Sequence, residues 1–359
     1  MLTAIKTSCV LALRWILINN HYVVKKKILL IRLDKIGDLI CTLPADQILD
    51  SQIYDITWVV QKGLGQVVDL GEKKRTYIEI NKNTPKNSRL QFREFLKKNH
   101  FDIAVSFQCP WWINYELFKA GIKKRIGVAS QWHSFLFLNA GLRQKRSQSL
   151  KHEFEYNLEL VEKITGQNPD LEGCKNKSKI YFKIKKPTSS AVLTNHKLPS
   201  SYIVVHPGMM GSALNWPEEK YISFIEEQIS KNENIVITGT PSDEPYLKKI
   251  KSVYEKHDKV IWLQSKLSLQ ELVEVLYYAQ KIIAPSTGVA HIAASLDKEI
   301  HGIYSPITVH HPKRWAPRGP QAHSHFPRVN CPAQFKCLGD KCPIYNCMNQ
   351  IHINLSESL

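Results

Sequence analysis

A short, wholly apolar run, Ile28-Leu29-Leu30-Ile31, follows Lys25-Lys26-Lys27 and ends in the turn Leu33-Asp34-Lys35-Ile36-Gly37-Asp38. A strand without polar alternation must be covered on both faces, the condition of a central strand in a parallel sheet. Further strands are expected at 55–60, 76–80, 102–107 and 125–128, with helical patterns at 38–49, 88–99, 113–120 and 152–165. Residues 166–199 lose apolar periodicity and turn rich in Lys, Asn, Ser and Pro, as a linker with one short strand at 179–184 would. A second series then places strands at 202–208, 234–239, 259–263, 281–284 and 299–305, the last of the chain. Its helices carry their own start signals: Pro217 followed by Glu218 and Glu219, and the capping box of Ser268 with Glu271. Strands alternating with helices predict an α/β fold with parallel sheets. The 359 residues suffice for two domains. They divide into an N-terminal extension (1–26), a first α/β domain (27–185) and a second (186–359).

The chain carries 49 Lys and Arg against 32 Asp and Glu, a formal net charge of +17, which favours an anionic partner. Nucleic acid, a phosphorylated substrate and an acidic lipid surface all qualify. No RNA- or DNA-binding motif is present, and aromatics are not interleaved with the basic run as stacking platforms, so nucleic acid is set aside. Between Leu117 and His152 lie eight basic residues and no acidic one, which is either a solvated face or a binding face. No stretch has the roughly 18 uninterrupted apolar residues of a membrane span. The segment 9–18, apolar but interrupted by Arg14, suits an amphipathic helix on a membrane surface or an accessory helix packed on the first domain, and fits a secretory signal poorly. Cys9, Cys41, Cys109 and Cys174 are scattered, as in an intracellular protein. Cys331, Cys337, Cys342 and Cys347 are clustered, but without C-x2-C pairs. They are either a structural zinc site or buried, redox-labile thiols.

Open α/β sheets bind ligands beyond the carboxyl ends of their strands. Three clusters of the second half sit at such ends: 206–216 with Gly208, Ser212, Asn215 and Trp216; 238–244 with Thr238, Gly239 and Glu244; and 285–291 with Ser286, Thr287, Gly288 and His291. A helix beginning near Gly288 would point free N–H groups at a phosphate or diphosphate, and His291 would add a donor or a cation. Any one cluster reads equally as a turn; the three together point to a nucleotide or phosphorylated ligand. In the first half, Asp38 opens a helix, where it is either a simple cap or a general base facing an acceptor hydroxyl.

The opening KILLIRLDKIGDLICTLPA, the helix HEFEYNLELVEKITG, the loop HPGMMGSALNWPEEKY and the segments APSTGVAHIAASL and IYSPITVHHPKRWAP are collinear with glycosyltransferase family 9, which the chain resembles over about residues 27–348. The resemblance implies a GT-B fold, two Rossmann-like domains facing across a cleft. It implies metal-independent, inverting transfer from a nucleotide sugar, an ADP-sugar, held by the second domain, with Asp38 as catalytic base. A phosphorylated glycolipid acceptor on the first domain would meet Lys35, Arg125, Arg143, Lys145 and Arg146. The enzyme would then be cytoplasmic and peripheral on the inner membrane. Two positions depart from the family pattern: Leu214 replaces a phosphate-contacting lysine and Ser286 replaces an aspartate. Ser212 and Asn215 offer neutral donors in compensation, but no charge. Heptose transfer onto lipopolysaccharide is therefore expected, with another nucleotide-sugar donor, or a non-catalytic nucleotide-sugar-binding protein, as the alternatives.

Overall fold

Two six-stranded sheets carry the chain, and every hydrogen-bonded strand pair in both is parallel. The computed structural model describes residues 24–166, 179–209, 211 and 213–355; the expected amphipathic segment at 9–18, Cys9, Cys174 and Ser212 lie outside the described residues. The first half runs β1 (Lys26–Arg32), α1 (Ile36–Ile40), β2 (Tyr54–Gln61), α2 (Gly65–Leu70), β3 (Thr76–Ile80), α3 (Lys86–Asn99), β4 (Ile103–Ser106), α4 (Trp111–Lys119), β5 (Lys124–Val128), α5 (Trp132–Phe137), β6 (Ala140–Leu142) and α6 (Glu153–Thr165). The second runs α7 (Ala191–Asn195), β7 (Ile203–Val205), α8 (Glu218–Ser230), β8 (Ile235–Ile237), α9 (Glu244–Tyr254), β9 (Val260–Trp262), α10 (Leu269–Tyr278), β10 (Lys281–Pro285), α11 (Gly288–Ser295), β11 (Glu299–Ile303), α12 (Pro312–Trp315) and β12 (Ala322–His325).

The sheet orders are β3-β2-β1-β4-β5-β6 and β12-β11-β10-β7-β8-β9. Counted within its own half, each is the Rossmann order. Each half therefore has a switch point, between β1 and β4 and between β7 and β10, where successive crossovers leave in opposite directions and open a crevice. As the apolar run required, β1 is covered on both faces. Ile28 and Leu30 pack with Trp58, Phe154, Leu158 and Val161, while Leu29 and Ile31 pack with Phe92, Trp112, Ile113 and Leu117. The first of these clusters continues without a break into Ala290, Ile292 and Ala293 of α11, so the two halves share apolar core.

Several elements differ from expectation. The helix expected over 38–49 is α1 followed by a 3-10 segment, Leu43–Ile48, with Pro44 in its first turn. Proline lacks the N–H that would continue the α1 ladder. The stretch 179–184 forms only an isolated antiparallel bridge, Gly71 to Ile184. β11 is not the last strand. β12 adds an outer strand whose sequence, Ala-His-Ser-His, offers no apolar alternation to announce it. The C-terminal tail completes the second core: Cys347, Met348, Ile351 and Ile353 pack on Ile203, Val205, Ile237 and Ile283. Ile351→Ala should cost roughly 2–5 kcal/mol, because it empties a packed site. A fall in the urea unfolding midpoint measures this.

Candidate active site at the seam between the halves

Two helix starts meet at the seam. α1 begins four residues after β1, and α11 begins where β10 ends. They approach so closely that a β-carbon at either glycine would crowd the opposite helix. A β-carbon on Gly37 would lie 2.9 Å from the His291 ring and 3.8 Å from the Cα of Gly288, and one on Gly288 would lie 3.0 Å from the Cβ of Ile36. His291 therefore belongs to the seam. It is buried, its Nδ1 lies 3.7 Å from the Cys41 sulfur, and burial, reinforced by His152, pushes its pKa down to about 4 against the pull of Asp38. It is neutral at physiological pH, so it brings no cationic charge. Thr287 stands at the N-cap of α11 but does not cap it; its Oγ1 is buried without a hydrogen-bond partner.

Asp38 lies in the first turn of α1, half-buried, and Arg32 Nη2 donates to its Oδ1 at 2.5 Å. Arg32 is the last residue of β1, on the same face as Ile28 and Leu30, because side chains alternate along a strand. That face is the one α6 covers, which brings Arg32 Nη1 to 3.3 Å from Glu153. Its Nε is 3.0 Å from Asp34. Glu153, fully buried at the start of α6, accepts also from Arg146 at 2.5 Å and from Arg314 at 2.9 Å. Three guanidiniums thus face three carboxylates, Glu153, Asp34 and Asp38. Burial would raise the pKa of Glu153, but Arg146, Arg32 and Arg314 outweigh it and hold the carboxylate ionised. Burial works against the charge of Arg32 too, and Asp38, Glu153 and Asp34 overcome it. For Asp38 the balance reverses. Loss of water raises its pKa despite the nearby Arg32, with Asp34 and Glu153 adding to the rise. The result is a carboxylate more basic than an ordinary aspartate, oriented by a fixed guanidinium.

Arg314 comes from the second half, so the network crosses the seam; its Nη1 also donates to the carbonyl of Arg146 at 3.1 Å. His152 crosses too. Its Nδ1 accepts from the Phe154 N–H at 3.1 Å, which leaves the proton on Nε2 to donate to the Ala316 carbonyl at 2.8 Å. Burial pushes its pKa to about 4. Neither Glu153 nor Arg32 nor Arg314 was singled out as a site residue from sequence. The available signal was a glutamate in the first turn of a helix whose apolar face must lie on β1.

The other strand-end residues of the second half form a separate group. His206 Nδ1 lies 3.0 Å from Thr238 Oγ1, the Asp243 side chain occupies the place a β-carbon on Gly208 would take, and Gly239 lies against Leu247. Glu244, exposed, accepts from Gln264 at 2.6 Å. Asn215 stitches its own loop, donating to the Pro207 carbonyl and accepting from the Trp216 N–H and the Tyr221 hydroxyl. Trp216 is a core residue, not part of the cleft. It is buried against Tyr221 and Phe224, and its indole donates to the Ile351 carbonyl. Ser286 sits partly exposed beside Thr287.

Among the five basic residues expected to meet an acceptor, Lys35, Arg143 and Lys145 are exposed. Arg125 is tied to the carbonyls of Phe137 and Ile122, and Arg146 is buried with its charge answered by Glu153. Arg146 and Arg314 nevertheless line a cavity of about 280 Å³ between the halves, together with Ser106, Asn114, His133 and Gln144. The Cys331, Cys337 and Cys342 thiols lie near enough to Cys347 to add to the burial that raises its pKa. All four are unbridged, and among the described residues no group of three or more His, Cys, Asp or Glu is placed to hold a metal.

Two Rossmann-ordered sheets whose helix starts, α1 and α11, meet at Gly37 and Gly288 have the arrangement of a GT-B fold. The family model for glycosyltransferase family 9 (heptosyltransferase) matches residues 89–341, and the chain belongs to that family. A Haemophilus influenzae protein assigned as a glycosyltransferase is 27% identical over 300 residues, covering 81% of this chain and 86% of its own. Lipopolysaccharide heptosyltransferase 1 of Escherichia coli is 22% identical over 298 residues, covering 78% and 88%. Among solved structures, E. coli ADP-heptose LPS heptosyltransferase II superposes with a TM-score of 0.69 at 18% identity, over 83% of this chain and 89% of that one. E. coli heptosyltransferase WaaC with ADP gives 0.62 at 22% identity, over 84% and 93%.

Removing the carboxylate with Glu153→Ala should destabilise the protein by roughly 3–5 kcal/mol, since it strands three buried guanidiniums; chemical denaturation reads this directly. The histidines give a pH signature. Below about pH 6.5 the unfolded chain takes up protons that the folded chain refuses at His152 and His291, so stability falls as pH drops from 6.5 toward 4. Each contributes a loss of about 2 kcal/mol by pH 5. Urea midpoints measured from pH 7 to pH 5 should therefore decline, and less steeply in His152→Gln.

Proposed function

We propose that the enzyme transfers heptose from ADP-heptose to a hydroxyl of a lipopolysaccharide core, inverting the anomeric centre, with Asp38 as the base. The observation that carries this reading is the position of Asp38: desolvated, oriented by Arg32, and one residue from the Gly37–Gly288 contact. In the proposed reaction Asp38 takes the acceptor hydroxyl proton, the oxygen bonds to the anomeric carbon, and the bond from that carbon to the diphosphate breaks. A base with a raised pKa is better matched to this task near neutral pH. The leaving diphosphate is negative, and the first turn of α11 offers it backbone N–H groups and the positive end of a helix. The unpartnered Thr287 hydroxyl would gain its missing partner there.

WaaC has been solved with ADP and with ADP-2-deoxy-2-fluoro heptose, which supports an ADP-sugar as donor here. Leu214 and Ser286 remove charge from the donor side, which favours, as a second reading, an ADP-sugar other than heptose. A glycolipid acceptor places the enzyme as a peripheral protein on the cytoplasmic face of the inner membrane. Among the described residues no helix is long and apolar enough to cross it.

Asp38→Asn should lower transfer on the order of 10³-fold while ADP affinity stays unchanged, because the amide keeps the shape and loses the base. Turnover with a panel of ADP-sugars, read against calorimetric ADP binding, checks both the base and the donor. Transfer at the wild-type rate in the variant would remove Asp38 from the mechanism.

A further inference from the structure

α5 is apolar on the wrong side. His133 and Ser134 turn inward and line the interdomain cavity with Gln131, while Trp132, Phe135 and Leu136 stand in solvent at 65%, 73% and 62% exposure. Single exposed apolar residues are ordinary; a contiguous set is not. This set continues onto α4, where Trp111 and Phe118 are also exposed. Tyr115 lies 6.2 Å from Trp111 and 5.5 Å from Phe137, and Phe137 lies 5.9 Å from Phe118, so Phe137, next to Leu136 in α5, joins that helix to the rings of α4. Its surroundings are basic. Arg125 sits over the Phe118 ring at 5.4 Å, Lys119, Lys123, Arg143 and Lys145 are exposed, and residues 117–152 contain no carboxylate at all.

We infer that the outer face of α5, continued by α4, is the surface on which the enzyme rests against an anionic lipid bilayer. Tryptophan and phenylalanine bury in the headgroup–acyl boundary, and a fringe of Lys and Arg answers negative headgroups; together these are the two signals that hold a protein at a membrane. A second copy of the chain would match the apolar part but not the charge, since a two-fold contact here sets basic fringe against basic fringe. The inward side of the same short helix forms the cavity wall. A bilayer under α5 therefore brings the cavity next to the membrane, where a lipid-linked acceptor is presented. That last consequence rests on the function proposed above; the docking of the face on lipid does not.

The test uses the full chain and vesicles that carry no acceptor, so its outcome is independent of donor and acceptor identity. Co-sedimentation with phosphatidylcholine vesicles, with and without phosphatidylglycerol, is compared for the wild type and for Trp132→Ser/Phe135→Ser/Leu136→Ser. The wild type should bind the phosphatidylglycerol vesicles, bind the uncharged ones far less, and lose binding at high salt. The triple variant should bind about tenfold less or weaker still, with unchanged circular dichroism and ADP affinity as proof of folding. Equal binding by the triple variant would assign lipid contact elsewhere, and equal binding to uncharged vesicles would remove the basic fringe from the account; either overturns the inference. A wild-type dimer that becomes monomeric in the variant, seen by sedimentation velocity, would overturn it in favour of self-association.

Discussion

One buried carboxylate, Glu153, organises the seam. It accepts from guanidiniums of β1, of the loop before α6 and of the second half, and each is itself removed from water. Such a cluster is tolerated only because the charges balance and each guanidinium is paired with a carboxylate; a buried ion left alone costs several kcal/mol. Its value is positional. Arg32, held by Glu153 at one nitrogen, is fixed where another nitrogen meets Asp38, and Arg314 draws the second half onto the same anchor. The glycine contact at Gly37 and Gly288 then lets α1 and α11 close to van der Waals distance. A charge network and a steric requirement, independent of each other, set the same geometry.

The architecture was legible in the sequence to a large extent, for a physical reason. β1, β7, β8 and β10 are buried on both faces, so their apolar runs carry no ambiguity of side, and helices between them follow from parallel pairing. α8 and α10 announced their starts through Pro217 and Ser268. What stayed hidden depends on contacts remote in sequence. β12 is polar because it is an outer strand, paired with β11 alone, and its histidines stack on His301 instead of packing on core. α5 stayed hidden because six residues are too few to show a helical period, and what its apolar side faces is set by the fold.

The site was legible as places, less so as roles. The clusters after β7 and β10 flank the second switch point and the one after β8 does not; Trp216 is core, His291 packs at the seam, and Arg146 serves Glu153. Each carries a residue type that suits a ligand, but Trp216 is claimed by Ile351 and His291 by Gly37, both remote in sequence, and Arg146 by Glu153, seven residues on. Charge at the surface is different. The carboxylate-free tract 117–152 is plain in the sequence, and the structure divides it into buried members that build the cavity wall and exposed members that ring an aromatic face.

The account stands on a desolvated Asp38 whose basicity the nearby Asp34 and Glu153 charges raise further, against Arg32. The acidic limb of the kcat/KM pH profile, in wild type and in Glu153→Gln, measures this most directly. The wild-type limb should lie above the ordinary aspartate value of about 3.9. In the variant it should move to lower pH, because a negative charge that raises the Asp38 pKa is gone and Arg32 is freed to favour the ionised form. A limb that does not move, or moves upward, would contradict the account.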